Sequence, residues 1–573
     1  MNVKRSNHST IEPLESRIAP AVFIVTNLND SGTGSLRAEL AAADAHGGSN
    51  TIVFHLPAPP VHGENIITLT SGALTTVGDV TITGPGAGKL IVSGNDSSGV
   101  FNITGQTGLT TISGLSIVNG NDGAGGGGIY CRESLTLKSV VISGNSTESG
   151  GGGVYVLGST GAKVSISNSL ISGNSAAANG GLGLGNLGSI TISNTVVTGN
   201  TATNGAGGIA ADVNGSGSGI AITDCRITGN RGPYGGLYLN GNSSAPAKIA
   251  ITGTTISGNV STSVSTSMGA GGGGLRLEYC NATIAGSTIR NNTAVYDGGG
   301  IDAANFTSLT ISGSTISGNV TTERSSANYG GGGGVCLYGS GKSPIPQAKI
   351  SGSVIADNRS SGAGGGVCAF NGVNLTISSS TISGNNAGAG GGVTTNSAAA
   401  DQFDAVNLVM IGDTIYNNSA YAAGGIDAMS GNGAVTIARC TMSGNFCEGA
   451  TECGGAIYAH SAVSVTITNV VASGNIATGN GGAIKISNTS NFNISGGSFT
   501  GNVAGGYGGG IYTSDSAGRI VGVTISGNTA ETTGGGVADA GGVVTLQVAK
   551  VSGNSAPGSP DVYTSDGGSF TYV

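Results

Sequence analysis

Residues 309–335 read LTISGSTISGNVTTERSSANYGGGGGV, and variants of this stretch fill most of the 573-residue chain. The phrase that ends in Gly-Asn recurs with its last residue at Asn145, Asn174, Asn200, Asn230, Asn259, Asn319, Asn385, Asn445, Asn475, Asn502, Asn528 and Asn554, and in looser form at Asn121, Asn292, Asn358 and Asn418. The copies lie roughly 24 to 39 residues apart, most often about 27, and such a period indicates stacked repeats and not a globular domain.

Each copy contains short segments that alternate apolar residues with Ser or Thr, as in LTIS and STIS. This alternation predicts strands that are buried on one side. Gly318 suits a turn with positive φ, and Asn319 tolerates the same turn while it offers a side-chain amide. The glycine run permits a second close turn before the apolar strand expected at residues 335–338. Each copy therefore supplies three short strands and three bends, and only stacked copies bury their apolar faces.

Parallel stacking at about 4.8 Å per coil aligns Ile311 with its counterparts and places the Asn side chains in a ladder of mutual hydrogen bonds. The sequence thus predicts an all-β fold, a right-handed parallel β-helix of about 16 coils. A leucine-rich-repeat horseshoe has a similar period, but Gly-Ser-Thr runs are poor helix formers. A propeller blade needs about 40 or more residues. Both alternatives fit the repeats less well than the β-helix.

We predict four segments: a polar leader at residues 1–21, an N-terminal cap of strands and one helix at 22–90, β-helix repeats at 91–556, and a C-terminal tail at 557–573. The leader lacks the apolar core of a signal peptide. The first strand is expected at residues 22–27. The cap helix is expected from Ser35, as N-cap, to His46, with glycines as the stop signal. A helix at this end covers the open end of the stack.

The composition excludes several classes of function. Charged residues make up only 9% of the chain, Trp is absent, and the net charge is −8. The sequence has no cluster of Lys and Arg, so it lacks the electrostatic footprint of a nucleic-acid-binding protein. The five His residues show no metal-ligand spacing, and no metal site is predicted. No run of about 20 apolar residues predicts a membrane-spanning helix. We expect a monomer.

The densest charged group comprises Arg276 and Glu278 on one coil and Asp297 and Asp302 on the next. A polysaccharide hydrolase needs two carboxyl groups about 5 to 10 Å apart, and this group is the candidate catalytic site. Three of its members are carboxylates, which are also suited to a hard cation such as Ca²⁺. The alternative is a solvated group of salt bridges between coils.

The residue that follows the first residue of each glycine-run strand is expected to point outward. It reads Tyr130, Tyr155, Tyr238, Arg276, Asp302, Cys336, Cys368, Thr394, Asp427, Tyr458, Lys485 and Tyr512 in most coils. Tyr130 and Tyr155, on adjacent coils, are candidates for stacking against sugar rings. The alternative is that Tyr is present only because it favours strands.

Two cysteine pairs are candidates for disulfides. Cys336 and Cys368 occupy equivalent positions of neighbouring copies, and Cys447 and Cys453 bracket a short loop. The other four cysteines serve equally well as small apolar residues of the core. Disulfides favour an oxidising compartment, and hence an extracellular or cell-surface location.

Several motifs resemble known families. The alternation of ISGN with GGGI resembles the repeat of the pectin-lyase-like β-helix superfamily, and its glycine half also resembles repeats of chlamydial polymorphic outer-membrane proteins. VTNLNDSGTGSLRAEL, residues 25–40, resembles the cap of many bacterial surface β-helices. IEPLESRIAPA, residues 11–21, is similar to the LEPR-type leader of planctomycetes and verrucomicrobia, except that Ser16 stands where that pattern has Pro. These resemblances imply the fold and export.

The superfamily resemblance leaves the function open, because its members include lyases, hydrolases, adhesins and inert stalks. Lyases of this type commonly use Arg or Lys as the base, often beside Ca²⁺, which implies Arg276 as a base and makes Ca²⁺ a cofactor only in that case. Our first hypothesis is a secreted or surface-displayed structural or adhesive rod that presents loops to matrix, cells or glycan. A polysaccharide lyase or hydrolase and a non-catalytic glycan-binding module are the alternatives.

Overall fold

The computed structural model describes residues 19–58, 63–123, 125–159, 161–215, 217–265, 271–323, 331–339, 344–396, 405–431, 433–450 and 453–573. Most of the leader, residues 1–18, lies outside these ranges. Statements below concern the described residues.

The chain forms a right-handed parallel β-helix of about 19 turns, as predicted for the fold class. A representative coil contains the strands Ile301–Ala304, Ser308–Ser312, Thr315–Ser317 and Val320–Thr321. The first strand belongs to sheet B, the second and third to sheet A, and the last to sheet C. Each pairs in parallel with its counterparts in the neighbouring coils. The prediction of three strands per copy was wrong by one, because the chain bends within sheet A.

Sheet B carries the residues discussed below as functional candidates. Its strands are Leu74–Thr76, Phe101–Ile103, Ile129–Cys131, Val154–Leu157, Leu182–Leu187, Ile209–Val213, Leu237–Asn240, Leu275–Glu278, Ile301–Ala304, Val335–Tyr338, Val367–Phe370, Val393–Asn396, Ile426–Met429, Ile457–His460, Ile484–Ser487, Ile511–Ser514, Val537–Ala540 and Val562–Ser565.

The stack holds more coils than the predicted 16. The additional strands pair in parallel with the repeats at both ends; they are Asn65–Thr68, Leu74–Thr76, Val80–Thr83 and Leu90–Ser93 before the repeats, and Val562–Ser565 and Ser569–Tyr572 after them. Except for Leu90–Ser93, which is followed by Gly94 and Asn95, these strands lack the Gly-Asn phrase, so the repeat motif underestimates the length of the stack.

The interior of the stack is apolar. Ile311 lies between Ile284 and Ile350 of the adjacent coils and is fully buried. Ile316, on the other arm of sheet A, is fully buried as well. Alternate residues of each strand thus form continuous columns of aliphatic side chains, because parallel in-register pairing places identical positions one above another.

A ladder of asparagine side chains, which we call the amide ladder, runs along one corner of the stack. Each Nδ2 donates to the next Oδ1 at 2.9 to 3.0 Å. Its members are Asn145, Asn174, Asn200, Asn230, Asn259, Asn292, Asn319, Asn358, Asn385, Asn418, Asn445, Asn475, Asn502, Asn528 and Asn554. The last Nδ2 donates to the Asp561 carboxylate at 3.0 Å. The ladder predicted from the sequence is confirmed.

One looser copy was placed wrongly. Asn121 belongs to a sheet C strand, and Gly120 occupies the ladder position, where its N–H donates to Asn145 Oδ1 at 2.8 Å. The reason is that Asn119 adopts the positive φ of 50° that glycine supplies in other coils, as Gly144 does with 65°. Because Asn tolerates this conformation, the motif SIVNGN is shifted by one residue.

The glycine run is required beside the amide ladder. A Cβ at Gly300 would lie 3.0 Å from Asn319 Nδ2 and 2.6 Å from the carbonyl oxygen of Gly334 in the next coil. In two other coils this position carries an alanine, Ala456 or Ala483, which is fully buried, so the space beside the buried amide admits at most a methyl group. The Gly-Asn phrase and the glycine run therefore form one structural unit.

The N-terminal end is covered by the predicted helix, Leu36–His46. Ser35 Oγ accepts a hydrogen bond from the Ala38 N–H at 3.2 Å, and Gly47, with φ of 71°, ends the helix. Leu36 and Leu40 are buried against the stack. The first strand is Val22–Val25, shorter than expected. Within the described ranges no helix has the length and apolar character to cross a membrane.

Removing one amide tests the ladder. Asn319→Ala leaves the donors of Asn292 and the carbonyl of Ile289 without partners in a dry interior. We expect a loss of about 3 kcal/mol or more in the free energy of unfolding, because each unsatisfied buried group costs about 1 to 3 kcal/mol. Ser317→Ala, two residues earlier and half-buried, is the matched control. Equal denaturant midpoints for the two variants would contradict the role of the ladder.

A second column, made of hydroxyl side chains, contains one carboxylate. Ser353 Oγ and Ser380 Oγ each accept a backbone N–H of the preceding coil, and Asp413 Oδ1 takes this position in the next coil. Burial raises the pKa of Asp413 to about 6, although its two backbone hydrogen bonds oppose the rise. The contribution of the Asp413 carboxyl to the free energy of unfolding is fully present below about pH 4 and is lost as the pH rises through about 6.

Asp413→Ser restores the hydroxyl of the other coils and removes the buried charge. We expect the variant to be more stable than the wild type above pH 6, by up to about 3 kcal/mol, and to lose this advantage below pH 4. Urea unfolding between pH 3.5 and 8 measures the difference, with the exposed Glu531→Gln as control. An advantage that does not change with pH would refute the explanation.

Candidate functional site

The outward residues of sheet B form one column, as predicted. Parallel registers align Tyr130 with Tyr155, Tyr238 with Arg276, and Arg276 with Asp302. Two further residues, Gly183 and Ala210, belong to this column although they were not predicted. The register with the neighbouring coils places them between Tyr155 and Tyr238. The column therefore changes from aromatic to small to charged side chains along the axis.

The middle of this column is covered and not open to solvent. Asp302, Cys336 and Cys368 are fully buried although they point away from the interior of the stack. The glycine run turns back over them: Gly298 has a positive φ of 54°, and a Cβ there would lie 2.5 Å from Asp302 Cβ. Residues expected at the surface are consequently enclosed by the turn that precedes their own strand.

The structure brings three of the four predicted catalytic residues into one ion network. Arg276 donates from Nη1 to Asp302 Oδ2 and from Nη2 to Glu278 Oε1. Tyr238 donates its hydroxyl to Glu278 Oε2 at 2.7 Å, and the Gly271 N–H donates to Asp302 Oδ2 at 3.2 Å. The side chains of Arg276, Glu278 and Asp302 are 5%, 19% and 0% exposed. Only Glu278 has appreciable contact with solvent.

The charges in this network stabilise one another. Burial disfavours the charged guanidinium, but Asp302 and Glu278 outweigh burial and raise the pKa of Arg276. Burial raises the pKa of Asp302, and Arg276 opposes that rise. Burial, followed by Glu278, raises the pKa of Tyr238. A guanidinium that remains protonated and is held between two carboxylates is a poor base.

Asp297, the fourth predicted residue, is held in a different set of hydrogen bonds. Its Oδ1 accepts the Tyr338 hydroxyl at 2.7 Å and the Gly331 N–H at 3.4 Å. Asp297 and Tyr338 are 2% and 3% exposed. Across the described ranges, no three His, Cys, Asp or Glu side chains converge as metal ligands would.

The two cysteine pairs are both brought together. Cys447 and Cys453 form a disulfide, with Cα atoms 5.7 Å apart. Cys336 and Cys368 are register partners on adjacent strands, and their Sγ atoms lie 2.7 Å apart as buried thiols. Their enclosure by the glycine turns isolates them from solvent.

Tyr130 and Tyr155 lie face to face on adjacent coils, with ring centroids 5.9 Å apart and planes inclined by 29°. Each ring borders a hollow. The hollow beside Tyr130, which we call the first hollow, has a volume of about 550 Å³ and includes Asn102 and Asp122. The second hollow, beside Tyr155, has about 370 Å³ and includes Asp212.

The second hollow was not predicted from the sequence because glycines create it. Gly183 and Gly185 occupy the outward positions that Tyr155 and Leu157 hold in the preceding coil. The signal was present in LGLGNL, residues 182–187, where alternate outward positions carry no side chain.

A second polar cluster was also not predicted from the sequence. His460 Nε2 lies 3.2 Å from Asp427 Oδ1, and its ring stacks on Tyr458 with centroids 4.4 Å apart. Lys485 Nζ lies 4.7 Å from the Tyr458 ring centroid, within cation–π distance. Asp427, Tyr458 and Lys485 belong to the outward column, and His460 lies two residues after Tyr458 on the same strand. The parallel register, which was predicted, was therefore sufficient to group these residues.

Asp302→Ala tests whether the ion network stabilises the rod. The substitution leaves the buried guanidinium of Arg276 without its enclosed partner, and removing one partner of a buried pair costs about 3 to 5 kcal/mol. Glu278→Gln, at the partly exposed end, should cost about 1 kcal/mol. Denaturant unfolding of both variants gives the comparison. A smaller loss for Asp302→Ala than for Glu278→Gln would contradict the assignment.

Comparison with known proteins supports the fold. A family model described as a right-handed beta helix region matches residues 65–272. The solved structures that resemble the chain include the pectate lyase Pel9A, with 15% identity, coverage of 63% of this chain and 78% of that chain, and a TM-score of 0.33. The alginate lyase AlyGC of family PL6 has 12% identity, coverages of 96% and 99%, and a TM-score of 0.19.

A surface adhesin is also among the similar structures. PfbA of Streptococcus pneumoniae has 10% identity, coverages of 94% and 89%, and a TM-score of 0.13. No curated protein matches the sequence. Because these identities are low, function has to be argued from the side chains of this chain.

Proposed function

We propose that this protein is an extracellular or cell-surface β-helix rod with a structural and adhesive function. The observation that carries the proposal is the ion network of Arg276, Glu278 and Asp302. Its guanidinium and the Asp302 carboxylate are almost completely buried and bonded to each other, so they hold coils together. A catalytic acid, base or nucleophile has to reach the substrate, and these groups face the covering turn instead.

A rod of this kind suits adhesion. Its core is continuous, the coils are tied together by sheets A and B and, over residues 121–530, also by sheet C, and the amide ladder adds a further hydrogen-bonded column. Its outer faces then present side chains at a fixed axial spacing of about 4.8 Å. Repetitive ligands such as matrix polymers or cell-surface glycans match such a spacing.

A polysaccharide hydrolase is the second candidate, on a pair of acidic residues that shares only Glu278 with the ion network. Asp212, Asn240 and Glu278 are register partners on three successive coils, which separates the two acidic residues by about 10 Å along the axis. Burial raises the pKa of Asp212, and Glu278 adds to the rise. Two carboxyl groups at about this separation would suit inversion at a glycosidic bond. Asn240 donates to Asp212 at 2.8 Å and occupies the position between them.

One pair of assays tests the proposal. We expect the purified protein to be retained on at least one of insoluble cellulose, chitin, xylan and pectin, and to release neither reducing ends nor unsaturated uronates, with or without Ca²⁺. Product release that disappears in Asp212→Asn or Glu278→Gln would replace the adhesive function with hydrolysis. Elimination products that require Ca²⁺ would replace it with a lyase activity.

A further inference from the structure

The Tyr130–Tyr155 pair offers two aromatic surfaces along the rod axis. The rings stack on each other, so their inner faces are occupied. Tyr130 lines the first hollow and Tyr155 lines the second. It follows that the opposite faces of the pair are turned toward the two hollows. Aromatic faces bounding a polar hollow are suited to the C–H faces of a ring-shaped ligand.

The first hollow contains unused hydrogen-bonding groups. Its lining includes Ser98, Asn102, Asn121 and Asp122. Ser98 Oγ and Asn102 Oδ1 are buried and have no hydrogen-bond partner among the described residues. Both side chains are partly exposed and line the hollow. Buried polar atoms are normally paired, and unpaired ones indicate a missing partner.

The second hollow shows the same combination. Gly183 and Gly185 form its floor, and Asp212 and Asn240 lie on its side. Asn240 Nδ2 donates to Asp212 Oδ1 at 2.8 Å, whereas Asn240 Oδ1 is buried without a partner among the described residues. A Cβ built at Gly185 meets Leu157 Cδ1 at 3.8 Å, an ordinary contact distance. The space is therefore not needed for packing.

We infer that the two hollows and the tyrosine pair form one groove that binds an uncharged oligosaccharide along the rod axis. One part of the ligand lies against Tyr130 and the other against Tyr155. This inference rests on the proposed adhesive function and specifies its ligand. Asn102 to Asn240 span five coil steps, or about 24 Å, so an extended oligosaccharide reaches both hollows.

The lining selects against anionic sugars. The ionisable groups among the described lining residues of the two hollows, apart from the tyrosines, are Asp122 and Asp212. Carboxylates repel uronates and sulfated sugars but accept hydrogen bonds from hydroxyl groups. The side-chain amides Asn102, Asn179 and Asn240 both donate and accept, as hydroxyl-rich ligands require.

Calorimetric titration of the full chain with soluble hexasaccharides tests the inference. The neutral probes are cellohexaose, xylohexaose, mannohexaose and laminarihexaose, and the anionic probe is hexagalacturonate. We expect at least one neutral probe to bind more tightly than hexagalacturonate. Tyr155→Ala should weaken that binding about tenfold, the scale of one lost aromatic contact.

Gly185→Val is the sharper variant, because it fills the second hollow without a backbone clash and introduces a residue that favours strands. We expect an unchanged melting temperature and at least tenfold weaker binding. Tyr416→Ala, which removes a partly exposed tyrosine on sheet A, should leave binding unchanged. If no neutral probe binds, if hexagalacturonate binds more tightly, or if Gly185→Val binds as the wild type does, the inference is wrong.

The failure of this inference is separable from failure of the proposed function. If Gly185→Val and Tyr155→Ala are retained on the insoluble polymers as strongly as the wild type, adhesion stands and the groove is not its site. If the wild type releases products from those polymers, the adhesive function fails, whether or not the neutral hexasaccharides bind.

Discussion

The structure depends on a simple constraint: an amide side chain buried in each of fifteen successive coils has to be satisfied at both of its ends. In-register stacking meets this requirement, because each Asn donates to the coil after it and accepts from the coil before it. Asn319, for example, is fully buried and bonded to Asn292 and Asn358. The glycine beside most of the amides, replaced only by the small Ala456 and Ala483, follows from the same requirement, since a Cβ there contacts both the amide and the next coil.

The periodicity of the sequence was sufficient to predict the parallel β-helix, the amide ladder, the cap helix and the common register of the outward column. It was insufficient for the number of coils, because strands such as Asn65–Thr68 pair by their apolar alternation alone and lack the motif. It also misplaced Asn121, because Asn and Gly both accept a positive φ and the motif can shift by one residue. The local sequence does not distinguish these registers, but the pairing with neighbouring coils does.

The candidate site shows a different limit. Alternation along a strand correctly assigned Asp302 to the outer side of sheet B, but it carried no information about the turn that folds over that side. Arg276, Glu278 and Asp302 were correctly grouped, and their burial changes what they can do: in a water-poor setting, opposite charges are held together instead of being offered to a ligand. The second hollow was not predicted because it is formed at positions, such as Gly183, that carry no side chain.

The direction of the amide ladder has a consequence for the length of the molecule. Every coil within it contributes one donor and one acceptor, and the series ends on the carboxylate of Asp561, which meets the N–H end of fifteen aligned amide dipoles. Duplicating or deleting one whole repeat therefore alters neither terminus chemically. Gene-level changes in repeat number would lengthen or shorten the rod in steps of about 4.8 Å while preserving its ends, so reach can evolve independently of folding.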